Sequence, residues 1–145
     1  MKNKILHILV YIIFNFLIYS SVSIAEQFNF DVTEIEILQN GNVIKGLNKG
    51  SINTNNGITI TADTFVYNKS LNILTTNGNV KIKDLKNNLE IYAENIIYEK
   101  NKEIITTNKN SKAILNNSKF ISANSFKFNR NENIICKKMF LQSAE

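Results

Sequence analysis

The sequence predicts an all-β protein built from stacked antiparallel strands. After residue 26 the apolar residues recur with period two rather than 3.6, polar turn pairs interrupt them at short intervals, and one nine-residue phrase returns at spacings of 31 and 30 residues. Period-two alternation puts apolar side chains on one face of a half-buried strand. Short strands separated by frequent turn signals belong to sandwiches and barrels. Self-similarity at a fixed period means stacked units, each burying its face against its neighbours.

Taken in order, the chain opens with a targeting segment. Lys2 and Lys4 supply positive charge, Ile5 to Tyr19 is mostly apolar with His7 and Asn15 interrupting, and "SSVSIA" follows. Ser23 and Ala25 are spaced like the small residues of a secretory cleavage site. Cleavage is expected between Ala25 and Glu26, giving a signal peptide at 1–25 and one β domain at 26–145. The alternative is an uncleaved anchor. A spanning helix needs roughly 20 predominantly apolar residues, and Ile5 to Tyr19 is shorter than that. The segment has no cysteine for lipid attachment.

The β domain begins with "TEIEIL", alternating at Ile35 and Ile37. "GITITA" alternates at Ile58, Ile60 and Ala62, and "NVKIKD" at Val80 and Ile82. Asn40-Gly41, Asn56-Gly57 and Asn77-Gly78 suit tight hairpins, because Asn and Gly tolerate positive φ. Further turns are expected at Asn68-Lys69-Ser70, Asn87-Asn88, Lys100-Asn101 and Asn116-Asn117.

The recurring phrase reads "ITADTFVYN" at 60–68, "IYAENIIYE" at 91–99 and "ISANSFKFN" at 121–129. Ile60, Ile91 and Ile121 share the spacing, as do Ala62, Ala93 and Ala123, Phe65, Ile96 and Phe126, and Tyr67, Tyr98 and Phe128. Leu74, Ile105 and Ile135 continue it. Ile60 and Ala62 point one way by alternation. Phe65 and Tyr67 join them only if the phase slips by one residue, which turns a strand's faces over. A bend of the β-bulge kind is therefore expected at Asp63, Glu94 and Asn124, where a short polar side chain can bond local backbone.

Composition narrows the function. Removal of the signal leaves 15 basic and 12 acidic residues, a net charge of +3. No basic run marks a nucleic-acid surface. Tyr67, Tyr98 and Phe128 could form a stacking platform for bases, but aromatics at strand spacing more often belong to a core. No nucleic acid is expected as a partner. The single histidine, His7, lies in the targeting segment, which leaves no triad and no Cys–His pair. No metal-ligand spacing is present, and no cofactor is expected. Glu34 and Glu36 share the polar face of one strand, a solvated arrangement rather than an acid/base pair. The chain is not expected to be an enzyme. Cys136 is the one cysteine, so no internal disulfide forms. It lies in the apolar run "IICKKMF" and is expected to be a buried structural thiol. What remains is the apolar face. If the stacked strands leave a groove, it can hold acyl chains, each buried methylene being worth about 0.8 kcal/mol. A closed core without ligand fits the same composition.

"NGNVIKG" (40–46), "GITITADTFVYN" (57–68), "NGNVKIKD" (77–84) and "IYAENIIYEK" (91–100) resemble the OstA-like family of periplasmic lipopolysaccharide-transport proteins. "FNFDVTEIEI" (28–37) is similar to the N-terminal periplasmic domain of the outer-membrane lipopolysaccharide-assembly protein of that family. The likeness runs over roughly 30 to 143. Glu94 and Asn124 replace the motif's Asp, and "TTNKNSK" lacks the glycine found at Gly78. The resemblance implies a twisted, open β-jellyroll in the periplasm whose interior carries the acyl chains of lipid A. It implies head-to-tail stacking with other OstA-like jellyrolls, or with copies of itself, into a bridge to the outer membrane, driven by an ATPase elsewhere. On this sequence the lipid-facing positions would be Ile35, Ile37, Val43, Ile58, Ile60, Ala62, Phe65, Tyr67, Ile73, Val80, Ile82, Ile91, Ala93, Ile96, Tyr98, Ile121, Phe126 and Phe128. The docking edges would be the terminal strands near Val32 to Leu38 and Met139 to Gln142. The ending "KKMFLQSAE" stops on a strand pattern, as a truncated domain or a partner-seeking edge would. An anchored subunit of the same bridge, or a β-repeat module without ligand, are the alternatives.

Overall fold

The structure is a computed structural model that describes residues 28–138. The expected cleavage site at Ala25 and Glu26, and the expected edge at Met139 to Gln142, lie outside the described residues.

Eleven strands form one antiparallel sheet. They are β1 (Phe28–Leu38), β2 (Val43–Thr54), β3 (Ile58–Ala62), β4 (Thr64–Asn68), β5 (Ile73–Asp84), β6 (Leu89–Glu99), β7 (Ile104–Asn108), β8 (Ser111–Leu115), β9 (Lys119–Ala123), β10 (Ser125–Asn129) and β11 (Ile134–Lys138). Three pairs are single lines broken once. β3 and β4 part at Asp63, β7 and β8 at Lys109-Asn110, and β9 and β10 at Asn124. The long strands β2, β5 and β6 run past these breaks and pair with pieces on both sides, and β1 runs along β2.

The breaks align into a crease across the sheet, and its chemistry alternates line by line. Asn48-Lys49, Gly78-Asn79 and Lys109-Asn110 all have positive φ. They sit at the crease in alternate lines, 30 and 31 residues apart. The lines between carry Asp63, Glu94 and Asn124. The Lys49 amide donates to the Asp63 carbonyl (2.9 Å), and the Asp63 amide to that of Gly78 (2.9 Å). Asn79 Nδ2 donates to the Asp63 carboxylate at 2.7 Å. Gly78 is required by contact as well as by its φ of +77°, since a Cβ there would lie 2.4 Å from Asp63 Oδ2.

The predicted phase slip is present. Ala62 and Phe65, Ala93 and Ile96, and Phe126 all reach the same core, with Ala123 packed against it. Two details differ. β6 runs unbroken through Glu94, and the irregularity lies opposite, where Gly78 and Asn79 of β5 face that single residue. Asn77-Gly78 is accordingly a bulge inside a strand and not a hairpin turn. The other predicted turns fall between strands. On one margin they stack as a staircase, in which the amides of Lys69, Lys100 and Arg130 donate to the carbonyls of Asn42, Asn72 and Glu103.

The crease divides the sheet into two halves that close face to face. The first comprises residues 28–32, 50–54, β3, 80–84, 89–93, β8 and β9. The second comprises 34–38, 43–47, β4, 73–77, 95–99, β7, β10 and β11. One core lies between them, containing Ile52, Ile60, Ile82 and Ile91 from the first half with Phe65, Leu74, Ile96 and Phe128 from the second. Burying each such side chain contributes about 1.5–3 kcal/mol. Phe28 joins the halves, its ring edge-on to Tyr67 (4.7 Å) and Tyr98 (6.0 Å). Among the described residues β1 pairs only with β2, β11 only with β10 and β9 only with β8. The sheet therefore remains an open, twisted jellyroll, with β1 at one end and β9 and β11 at the other.

Candidate functional site

The interior is built by register. Directly paired residues share a face, so inward rows can be followed from strand to strand. In the first half one row passes through Phe30, Ile52, Ile60, Ile82, Ile91, Ala113 and Ile121. In the second, Ile37, Ile44, Tyr67, Leu74, Tyr98, Ile105, Phe128 and Ile135 are successive partners. Of the positions expected inside, Ile58, Ile60, Ala62, Phe65, Val80, Ile82, Ile91, Ala93, Ile96, Tyr98, Phe126 and Phe128 belong to the buried core, with Tyr67 and Ile121 packed against it.

Five residues differ from expectation. Ile73 pairs with Asn68 and Glu99 and lies on the outer face, and Val43 shares that row through Asn68, where it is buried but stands apart from the core cluster. Their neighbours Ile44 and Leu74 point inward. Cys136 is exposed, because Ile135 takes the inward position opposite Phe128. Ile35 and Ile37 follow the inward row but are 49% and 67% exposed.

Packing between the halves is tight. Ile52, Ile60, Leu74, Ile82, Ile91, Tyr98, Ile105 and Phe128 have no solvent exposure, being covered by one another. An acyl chain can lie between the halves only if they part. At the two ends of the sheet the inward rows are less covered, through Ile35 and Ile37 on β1 and through Ile121 and Ile135, which are partly buried.

A charged cluster at the margin opposite the crease escaped the sequence reading. Arg130 and Asp84 are each only 2% exposed. Arg130 Nε donates to Asp84 Oδ2 at 2.7 Å and Nη2 to Asp84 Oδ1 at 3.2 Å. Nη1 donates to Glu103, which also accepts from the Tyr98 hydroxyl at 2.8 Å. Nη2 reaches the Asn56 carbonyl at 3.3 Å. Burial alone would raise the Asp84 pKa, but the hydrogen bonds from Arg130 and Asn87 outweigh it and hold the carboxyl below the usual range. Burial would likewise lower that of Arg130, and its bonds to Asp84 and Glu103 raise it instead. Burial, reinforced by Glu103, pushes the Tyr98 phenol far above its ordinary value. Beside them the buried Lys100 ammonium lies 4.6 Å from the Phe28 ring centre. Parity was the available signal. Asp84 continues the inward row of Val80 and Ile82, and Arg130 continues that of Phe126 and Phe128.

No group of His, Cys, Asp and Glu among the described residues could hold a metal ion. No helix among them is long and apolar enough to cross a membrane. No protein-family model and no curated protein matches the chain. Solved structures do. LptH of Pseudomonas aeruginosa, described as the LptA-homologous periplasmic component of the conserved lipopolysaccharide transport device, matches with a TM-score of 0.72 at 12% identity, over 81% of this chain and 86% of that one. The chain thus has the fold of that transport component, the twisted all-β jellyroll that the OstA-like resemblance implied.

Proposed function

We propose that the chain is a periplasmic carrier of lipopolysaccharide, one unit of the bridge between inner and outer membrane, exported by a signal peptide at 1–25 and working through the domain at 26–145. The acyl chains of lipid A travel against the inward rows, on Ile60, Phe65, Tyr67, Ile96 and their neighbours. The observation that carries this reading is the inward apolar row that reaches both ends of an open sheet. It includes the exposed Ile35 and Ile37 at one end and Ile135 at the other. The jellyroll shared with LptH supports it. Among the described residues β1 and β11 each pair on one side only, which suits strand addition by a neighbouring jellyroll or a second copy. Head-to-tail docking would join one unit's row to the next. The carrier works by burial alone and needs no cofactor or catalytic group.

A photo-crosslinking residue at Tyr67, in cells, tests this. Adducts with lipopolysaccharide are expected there and not at the exposed Lys69. Equal yields at both positions would refute the carrier reading. The N-terminal residue of the exported protein, measured by mass spectrometry, is expected to be Glu26. Retention of residues 1–25 would make the chain an anchored subunit of the same bridge.

A further inference from the structure

The halves are hinged by continuous backbone at the crease and meet at the opposite margin through side chains. There the backbone bonds of the turns run along each row: Leu85 to Gly57 and Asn116 to Asn88 in the first half, and the staircase of Lys69, Lys100 and Arg130 in the second. The contacts that cross between rows are side-chain ones. Arg130 grips Asp84 of the opposite half, Asn56 donates to Glu103 at 3.0 Å, and Asn87 donates to the Arg130 carbonyl at 3.2 Å. Lys100 crosses to Phe28 in the same way.

A seam made of charges opens differently from an apolar one. Parting an apolar seam exposes hydrocarbon to water with no compensation. Parting a buried ion pair returns both ions to water, which removes the desolvation penalty of holding them inside. Such a pair contributes little net stability over an apolar equivalent, yet it fixes one geometry while shut. It therefore suits a joint with two states.

We propose that Arg130, Asp84 and Glu103 form a latch that holds this margin shut, and that the jellyroll opens there, hinging at the crease, to admit a ligand with apolar chains from the side. The opening concerns the fold itself, whereas the identity of the ligand rests on the carrier reading above.

Spin labels at Leu71 and Leu85, exposed residues on the two opposing turn rows, report the opening without any lipid. Asp84→Asn and Glu103→Gln are expected to broaden the distance distribution toward longer separations while far-ultraviolet circular dichroism stays unchanged. An unchanged distribution in both variants overturns the latch. For entry, Asn56→Cys/Glu103→Cys in a Cys136→Ser background is compared before and after a short bis-thiol crosslinker, with fluorescently labelled lipopolysaccharide as probe. Crosslinking is expected to slow uptake about tenfold or more, because the open state is removed. Uptake at the same rate by the strapped and unstrapped protein overturns entry through this margin and leaves the carrier reading standing. Separation of the labels with no uptake by any form supports the latch and refutes the carrier.

Discussion

Replacing Arg130 by Met tests whether the margin cluster is as dry as its packing implies. The side chain is similar in length, so packing changes little and the charge is lost. Asp84 would keep the bonds it accepts from the Lys86 and Asn87 amides and from Asn87 Nδ2 (3.1, 3.3 and 2.8 Å). It would lose those from Arg130 at 2.7 and 3.2 Å. Glu103 would keep Tyr98 and Asn56 and lose its cation. Three charge-assisted bonds at about 1.5–3 kcal/mol each set an upper range of about 4.5–9 kcal/mol. Breaking a buried pair from one side costs about 3–5 kcal/mol, and the overlap puts the loss at about 4–5 kcal/mol. For a domain of this size about 4 kcal/mol lowers Tm by about 15 °C. Thermal melts followed by circular dichroism at pH 7 measure it. Arg130→Met/Asp84→Asn/Glu103→Gln, which removes all three charges, should recover most of the loss. A single-variant cost below about 1 kcal/mol, the range of exposed pairs, would refute the buried cluster and with it the latch.

Three further outcomes follow from single features. The Thr76 hydroxyl is buried without a hydrogen-bond partner, so Thr76→Val, of nearly equal shape, should raise stability by about 1 kcal/mol in a denaturant melt. Gly78→Ala should cost more than Gly41→Ala in the same assay. Both have positive φ, but a Cβ at position 78 meets Asp63 and one at position 41 meets nothing within 4 Å. The Asp84 carboxyl has its pKa depressed by folding. Its contribution is therefore present above the ordinary carboxylate pKa of about 3.9 and lost as pH falls through the folded value. Melts between neutral and acid pH should show a steeper acid-side loss for the native protein than for Asp84→Asn.

The strand lines, most turns and the phase slip at the crease were legible in the sequence because each rests on a local rule. Alternation sets the face, Asn and Gly take positive φ, and the repeat confirms both in each copy. The errors cluster where alternation is silent. Val43-Ile44 and Ile73-Leu74 are adjacent apolar pairs, and Ile134-Ile135-Cys136 is an apolar triple, so pattern alone leaves open which member faces inward. Register decides, and register is a long-range property: Ile44 is inward because it pairs with Tyr67. Asn77-Gly78 looked like a turn because a bulge and a hairpin require the same positive φ. The charged margin was missed because Asp84 at the end of β5 and Glu103 and Arg130 in two separate turns are brought together only by the closed jellyroll.

The interior residues are also the core, which changes how a lipid path can be probed. Ile60→Asp would put an unpaired carboxylate at a site with no solvent exposure. Its penalty of several kcal/mol is a large part of a stability of about 5–15 kcal/mol. It should unfold the domain, so any loss of lipid binding would be uninformative. Ile37 lies on the inward row but is 67% exposed. Ile37→Asp should shift stability by no more than about 0.5 kcal/mol. If the row continues from one unit to the next, a carboxylate there faces the passing chains and the docking neighbour. Tm should then be unchanged, while lipopolysaccharide adducts at a photo-crosslinker placed at Ile35 should fall sharply. A melt as damaged as that of Ile60→Asp would mean that the end of β1 is covered. Unchanged adducts in a protein of unchanged stability would mean that the lipid does not leave by this end.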